Sequence, residues 1–216
     1  MKELESMRRE PWVDLLSEIL RKREQEDYKR IKSVISKGAT PHTQVYAYPT
    51  VLPYLPENFQ GSERDALLRI AALAVDFTDI PHRSRTSGGL SFGRWAFRIA
   101  MTEDKHGHSQ SVAPDDPGMI AARLTYLHMQ DLEEAARSIR RIFNYAVSLP
   151  SLIPPLDYFS LGKTLLRWGN GISEKSRQVR LSVIEDFYAA TSFSDQVSLT
   201  SDESDRKNSS TPTREE

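Results

Sequence analysis

The chain has 216 residues, of which 38% are hydrophobic and 27% are charged, and this composition predicts one globular unit with appendages. It contains no cysteine, which excludes disulfides, thiolate metal sites and thiol nucleophiles and favours a reducing cytoplasm. No apolar run approaches the roughly 20 residues of a membrane span, and residues 1–12 lack the apolar core of a signal peptide, so we expect a cytoplasmic protein with no membrane partner.

The formal net charge of -1 conceals an uneven distribution of charge along the chain. Residues 195–216 carry six acids and three bases, so the preceding residues carry 24 acids and 26 bases. Residues 82–180 are more basic, with fourteen Lys or Arg against nine Asp or Glu. The pattern predicts a basic folded part followed by an acidic tail.

The N-terminal part of the chain joins two helical patterns through a proline-rich connector. Apolar residues at helical spacing predict a helix over residues 10–35, which Gly38 ends. Four prolines interrupt residues 39–58 and predict an irregular, partly packed connector. Ser62 is the predicted N-cap of a core helix that runs to about Phe77.

The middle of the chain contains two further helical patterns separated by a loop. Residues 92–100 follow helical period, and residues 103–118 are rich in turn residues. One long helix is predicted over residues 119–148, because its apolar residues keep a helical period until Pro150.

The C-terminal part predicts two more helices and a tail. Asp157 or Ser160 is expected to cap a short helix that ends at Trp168, and Ser173 is expected to cap a last helix that runs to about Ala190. No segment shows sustained alternation of period two, so the predicted fold is an all-α bundle over residues 1–191. Residues 192–216 are polar and predict a disordered tail.

A glycine-rich stretch has the spacing of a phosphate-binding loop but not its chemistry. Gly88 and Gly93 fit G-x-x-x-x-G, yet Arg94 and Trp95 stand where Lys and Ser or Thr are needed. The preceding element is also a predicted helix where that loop requires a strand. We therefore interpret Gly88 and Gly89 as a tight turn and Gly93 as a position of close helix packing.

Other enzyme and metal hypotheses find little support in the sequence. No Ser-His-Asp order or carboxylate pair stands out, so we expect no enzyme and no cofactor. His106 and His108 with Asp104 are suitable metal donors, but no further strong ligand lies nearby and no metal is expected. Trp95 and Trp168 lie in apolar helical patterns, which favours core packing over stacking on nucleobases.

The arginines form runs that local acids do not neutralise. Four arginines fall within residues 83–98 without any acid. Arg137 can pair with Glu133 four residues earlier, whereas Arg140 and Arg141 have no acid on their own helix. A further basic run is opposed only by Glu174 and consists of Lys163, Arg167, Lys175, Arg177 and Arg180. For the whole set, contact with a polyanion is favoured over a merely solvated surface.

Several short motifs occur in a defined order along the chain: ALLRIAAL (66–73), His82, GLSFGR (89–94), SIRRIF (138–143), LLRWG (165–169) and IEDFY (184–188). This order resembles the CasB family, the small subunits of Cascade, the type I-E CRISPR surveillance complex. The resemblance implies two small helical bundles, no catalysis, and assembly with other Cascade subunits and a second copy of the chain. It also implies contact with crRNA and with the target and displaced DNA strands during R-loop formation.

The resemblance also implies which basic residues meet phosphates. The matching positions are Lys29, Arg30, Lys32, Arg69, Arg83, Arg94, Arg140, Arg141 and Arg177, to which the charge pattern adds Arg137. The chain departs from the family in its longer loop over residues 102–118 and in its acidic tail. The alternative is a scaffold subunit whose basic face meets acidic protein surfaces.

Overall fold

The computed structural model describes residues 10–113 and 115–207, and these residues form helices without a strand. The α-helices are α1 Pro11–Lys22, α2 Lys29–Ser36, α3 Tyr48–Val51, α4 Gly61–Asp76, α5 Phe92–Ala100, α6 Met119–Leu127, α7 Leu132–Ser148, α8 Tyr158–Leu166 and α9 Glu174–Lys207. Isolated bridges join Leu156 to His82 and to Leu90. The all-α prediction is confirmed.

Helix α4 is the centre of the first group of helices. Residues 66–75 of α4 are buried on every side, the pattern of a helix surrounded by neighbours. Helices α1, α2, α7 and α8 pack around it. Gly162 of α8 allows close packing, because a Cβ there would lie 3.1 Å from side-chain atoms of Leu16 and Trp12 on α1.

The second group is built on the pairing of α5 with α9, and α6 packs against α5, α7 and α9. Phe143 of α7 connects the two groups, because its ring meets Phe77 after α4, Trp95 of α5 and Tyr158 of α8. Trp95 and Trp168 are both buried, which confirms their assignment to the core.

The glycines just before and at the start of α5 act as predicted. Gly88 has φ +90°, the left-handed conformation that favours glycine. A Cβ on Gly89 would lie 1.8 Å from the carbonyl oxygen of Arg83. A Cβ on Gly93 would lie 2.2 Å from the carbonyl oxygen of Val183, so this glycine lets α5 approach the backbone of α9.

Two of the predicted caps are confirmed and one is wrong. The Asp157 carboxylate accepts hydrogen bonds from the backbone N–H groups of Phe159 and Ser160. The Ser173 hydroxyl accepts one from Ser176 N–H at 3.2 Å. Ser62 is not a cap, because α4 begins one residue earlier and the preceding residue, Gln60, is its N-cap.

Each of the two longest predicted helices is broken in the structure. Residues 10–35 divide into α1 and α2 at Arg23, whose side chain turns inward and donates to the carbonyls of Ala74 and Ile80 at 3.0 and 2.7 Å. Residues 119–148 divide into α6 and α7 because Asp131 caps a new helix by accepting a hydrogen bond from Glu134 N–H.

The C-terminal helix is longer than predicted. It continues to Lys207, past the expected end near Ala190. The remainder of the predicted tail, residues 208–216, lies outside the described residues. Across the part of the chain that the structure describes, no helix is long and apolar enough to span a membrane.

The loop after α5 is organised around Asp104. Its carboxylate accepts hydrogen bonds from the backbone N–H groups of His106 and His108, and these bonds lower the pKa of Asp104. Among the residues described, no group of three His, Cys, Asp or Glu side chains is arranged to hold a metal ion.

Candidate nucleic-acid interface

A basic groove runs from α2 to α7. Its wider part is open, has a volume of about 540 Å³ and is lined by Lys29, Lys32 and Lys37 together with serine and threonine hydroxyls. Its narrower part is lined by Arg137 and Arg140. Ala39 and Thr40 line both parts and make them continuous. We call these five cationic side chains and the surface between them the basic groove.

The charges of the basic groove are held on fixed helices. Lys29 and Lys32 are three residues apart on α2, so they lie on one face of that helix. Ile35 is buried and anchors α2 in the core. Buried Ala136 and Ile139 do the same for α7. No described residue lining either part of the groove is acidic, although Glu26 pairs with Lys29 from outside it. Lys32, Lys37 and Arg137 make no ion pair with the described residues, which gives the groove a positive potential suited to a polyanion.

Arg140 has an acidic neighbour that its own helix does not supply. Its guanidinium lies 2.7 Å from the carboxylate of Asp76, at the end of α4, and 5.3 Å from the centre of the Phe77 ring. The Ser36 hydroxyl of α2 also donates to Asp76. Arg140 therefore has no acid on its own helix, as predicted, but is paired with an acid of another helix, and Asp76 joins α2, α4 and α7.

Arg69 does not face the surface, and its predicted contact with nucleic acid is wrong. Its side chain is 1% exposed, and its guanidinium donates to both carboxylate oxygens of Glu133, to the carbonyl of Gly38 and to the amide oxygen of Gln44. These partners occupy most of its five N–H donors. Arg69 is a structural residue that joins α4, α7 and the turn after α2.

The predicted ion pair between Arg137 and Glu133 is also wrong. The Glu133 carboxylate binds Arg69, and Arg137 Nε donates instead to the backbone carbonyl of Glu133 at 3.3 Å. Arg137 is exposed, so its charge remains available at the rim of the basic groove.

Arg141 lies on the other side of α7. It is exposed and makes no ion pair with the described residues. It lines a second groove with Arg123 and Tyr126 of α6. The three arginines of α7 therefore do not form one patch, because two face the basic groove and one faces α6.

The other predicted contacts are dispersed over the surface. Arg30 and Arg83 are exposed outside the grooves. Arg94 lies 3.8 Å from Asp186 of α9, and Arg177 pairs with Glu174 in the first turn of α9. The structure thus brings five of the ten predicted residues to the basic groove, namely Lys29, Lys32, Arg137, Arg140 and, buried beneath it, Arg69.

The second basic run predicted from the sequence does not form a uniformly basic surface. Lys163, Arg167 and Lys175 line one pocket, but Glu10 and Glu63 line it as well. Arg180 is buried and donates to the carbonyls of Trp168, Gly169 and His128. This run therefore offers a surface of mixed charge and one structural arginine.

Two cationic residues of the grooves were missed from the sequence. Lys37 follows the last turn of α2, and its place just before Gly38 was a usable signal, because a lysine at a helix end stays near the surface. Arg123 stands three residues before Tyr126, and this spacing places both on one face of α6.

Comparison with known proteins identifies the family. Residues 34–188 match the family model for the CRISPR-associated protein Cse2. The chain belongs to the Cse2 family. No curated protein gave a significant sequence match. The resemblance predicted from the motif order is confirmed.

Solved structures of Cse2 proteins share the fold. A Cse2-family protein from Thermus thermophilus superposes with a TM-score of 0.58 at 20% identity, covering 84% of this chain and 99% of that chain. A structure of CasB from the same organism gives 0.57 at 21% identity, covering 83% and 99%. A chain of a CRISPR RNA-guided surveillance complex gives 0.59 at 16% identity, covering 87% and 97%.

The motifs on which the resemblance to the family rests lie mainly in the core of this Cse2 chain. His82 is half-buried between two such motifs, and its Nδ1 lies 3.1 Å from the Leu156 carbonyl. Burial lowers the pKa of His82 below its ordinary value. GLSFGR and IEDFY meet where Gly93 approaches Phe187.

Proposed function

We propose that this chain is a non-catalytic small subunit of a type I-E CRISPR surveillance complex that holds nucleic-acid backbones in its basic groove. Its partners in this proposal are the other Cascade subunits, a second copy of itself, crRNA, and the target and displaced DNA strands. Family membership and the fold shared with a chain of a surveillance complex support this assignment.

The observation that carries the proposal is the basic groove itself. Five cations from two helices and a turn line one continuous surface, and three of them, Lys32, Lys37 and Arg137, make no ion pair with the described residues. Lys and Arg bind phosphates without reading bases. A complex that delegates sequence recognition to a guide RNA needs contacts of this kind, because they must serve every guide equally.

The groove also lacks the features of an enzyme site. Its lining residues are cations, hydroxyl residues and small or apolar residues, without a paired acid and base. Catalysis by proton transfer needs a titratable group near the operating pH within reach of its substrate. The proposed mechanism is therefore electrostatic: the bound strands are stabilised as the R-loop opens.

The test is a reversal of charge in the groove. Lys32→Glu combined with Lys37→Glu, assembled into the full complex, should weaken binding to matched target DNA equally for different guides. The slope of log affinity against log salt should become shallower by about one unit for each phosphate that the groove no longer binds. The matched control is Arg85→Glu with Lys105→Glu, which changes two exposed charges outside the grooves.

Two outcomes would overturn the proposal. One is normal assembly with unchanged affinity and unchanged salt slope in the groove variant. The other is loss of assembly in the groove variant while the isolated wild-type chain shows no salt-dependent binding to DNA or RNA. The second outcome would support the scaffold alternative.

A further inference from the structure

The second groove has a different chemistry from the basic groove. It is open, has a volume of about 350 Å³, and lies between α6 and α7. Arg123, Tyr126, Gln130, Ser138 and Arg141 line it, and no acid does. We call it the Tyr126 groove. It combines an aromatic ring with two cations, whereas the basic groove offers cations without an aromatic side chain.

The aromatic ring of Tyr126 is exposed to solvent. Its side chain is 63% exposed, while Leu124 and Leu127 of the same helix are fully buried. Its ring makes no ring contact and no cation–π contact with the described residues. An aromatic ring on a rigid helix offers a face for stacking, and every nucleobase has a π-face that can use it.

The two arginines of the Tyr126 groove lack acidic partners. Arg123 Nε donates to the thioether sulfur of Met119 at 3.0 Å, a weak acceptor that leaves the positive charge uncompensated. Arg141 makes no ion pair with any described residue. Two uncompensated guanidinium groups beside an exposed ring attract an anionic occupant.

The polar groups of the groove are ordered by contacts with each other. Ser138 Oγ donates to Gln130 Oε1 at 2.8 Å, which holds the amide plane in place. The Gln130 amide nitrogen makes no hydrogen bond with the described residues. It is therefore a free donor beside the ring, of the kind that binds the acceptor atoms of a base edge.

We propose that the Tyr126 groove binds an unpaired nucleobase of a single strand, which stacks on Tyr126 while Arg123 and Arg141 bind the adjacent phosphates. This inference rests on the proposed function, because it assumes that the subunit meets nucleic acid. It goes further in assigning base stacking to one side of α7 and backbone binding to the other side. It selects single strands, since a base inside a duplex is already stacked and paired.

The experiment compares two fluorescently labelled strands of equal length and charge, oligothymidylate and its abasic deoxyribose-phosphate counterpart, binding to the full chain and to the assembled complex. Wild type should bind the base-bearing strand about tenfold more tightly, the scale of stacking one base on an aromatic ring. Tyr126→Ala should lose this preference and retain its affinity for the abasic strand. Tyr126→Phe should keep the preference.

Met129→Ala is the matched control, because Met129 is 72% exposed just after α6 but does not line the groove. Its preference for the base-bearing strand should equal that of wild type. The salt slope of Tyr126→Ala should also equal that of wild type, since the substitution removes no charge.

Each contrary result has its own meaning. Equal, salt-dependent binding of both strands by wild type would overturn the stacking proposal and leave the backbone function standing. If neither strand binds to the chain or to the complex, the stacking proposal and the proposed function are both overturned. Impaired assembly of Tyr126→Ala with an unchanged base preference would show that the groove contacts a protein, and the stacking proposal would fail.

Discussion

Gly93 of α5 faces the backbone of Val183 of α9 so closely that a Cβ on the glycine would lie 2.2 Å from the Val183 carbonyl oxygen. The same Cβ would lie 2.9 Å from the backbone nitrogen of Phe187. The obstructing atoms belong to a helix backbone and cannot rotate away as a side chain would. The close packing of α5 against α9 therefore requires glycine, which has no Cβ, at this position.

Gly93→Ala should lower the free energy of unfolding by about 3 kcal/mol, because it overpacks the contact between α5 and α9, and Gly93→Leu should lower it at least as much. Denaturant unfolding followed by circular dichroism measures the difference. Gly61→Ala is the control, since a Cβ there meets only Arg64 Nη2 at 3.9 Å. If Gly93→Ala is as stable as the control, α5 and α9 can move apart without a loss in the free energy of unfolding, which would contradict this prediction.

The local features of this fold could be predicted from the sequence. The Asp157 cap and the bounds of α5 depend on neighbours in the chain or on simple periodicity, and the structure confirms them. Close packing at Gly93 was also predicted, but its partner on α9 was not. The breaks after Lys22 and Leu127 were missed, because neither a proline nor a glycine marks them. Apolar residues continue across the second break, so periodicity alone predicts an uninterrupted helix there. The first break lies in a stretch without apolar residues, between Leu20 and Tyr28.

The candidate site was predicted less well, because the state of a charge depends on distant partners. Arg69 pairs with a residue 64 positions away, and Arg140 pairs with Asp76 of another helix. Both were counted as free surface charge. Lys29, Lys32 and Arg137 were placed correctly on the surface. Their convergence on one groove follows from the packing of both α2 and α7 against α4, which no local pattern records.

Arg69→Met should destabilise the protein by about 3 kcal/mol, because it leaves Glu133 and the Gly38 carbonyl without their partner. Arg69→Lys should not restore stability, since an ammonium group cannot bind both carboxylate oxygens in a fork. Urea unfolding measures these differences. Arg141→Met is the control and should change stability by less than about 0.5 kcal/mol. Equal effects of Arg69→Met and the control would contradict a structural role for Arg69.

Stability should depend on pH through His82. Burial lowers its pKa in the folded state below the ordinary value of 6.5, so the unfolded chain binds a proton first as the pH falls. The free energy of unfolding should therefore decrease as the pH drops below 6.5 towards the folded pKa. In His82→Gln this decrease should be smaller, as measured by unfolding titrations between neutral and mildly acidic pH. Parallel profiles for the two proteins would exclude His82 as the cause.

Asp76→Asn should have opposite effects on stability and on binding. The substitution removes the negative charge 2.7 Å from Arg140, while its amide oxygen can still accept the hydrogen bond from Ser36. Loss of this partly buried ion pair should lower the free energy of unfolding by about 1 kcal/mol. Arg140 is then free to bind a phosphate, so affinity for DNA should rise and the salt slope should steepen by up to about one unit.

Asp79→Asn is the matched control for this last change. Asp79 is exposed three residues after Asp76 and makes no ion pair with the described residues, so its substitution alters the net charge equally without releasing Arg140. Salt-dependent DNA binding by the full complex measures both variants. An equal rise in affinity would mean that long-range charge is responsible. A rise confined to Asp76→Asn would mean that Asp76 competes with phosphate for Arg140, and that the fold limits how tightly the basic groove binds.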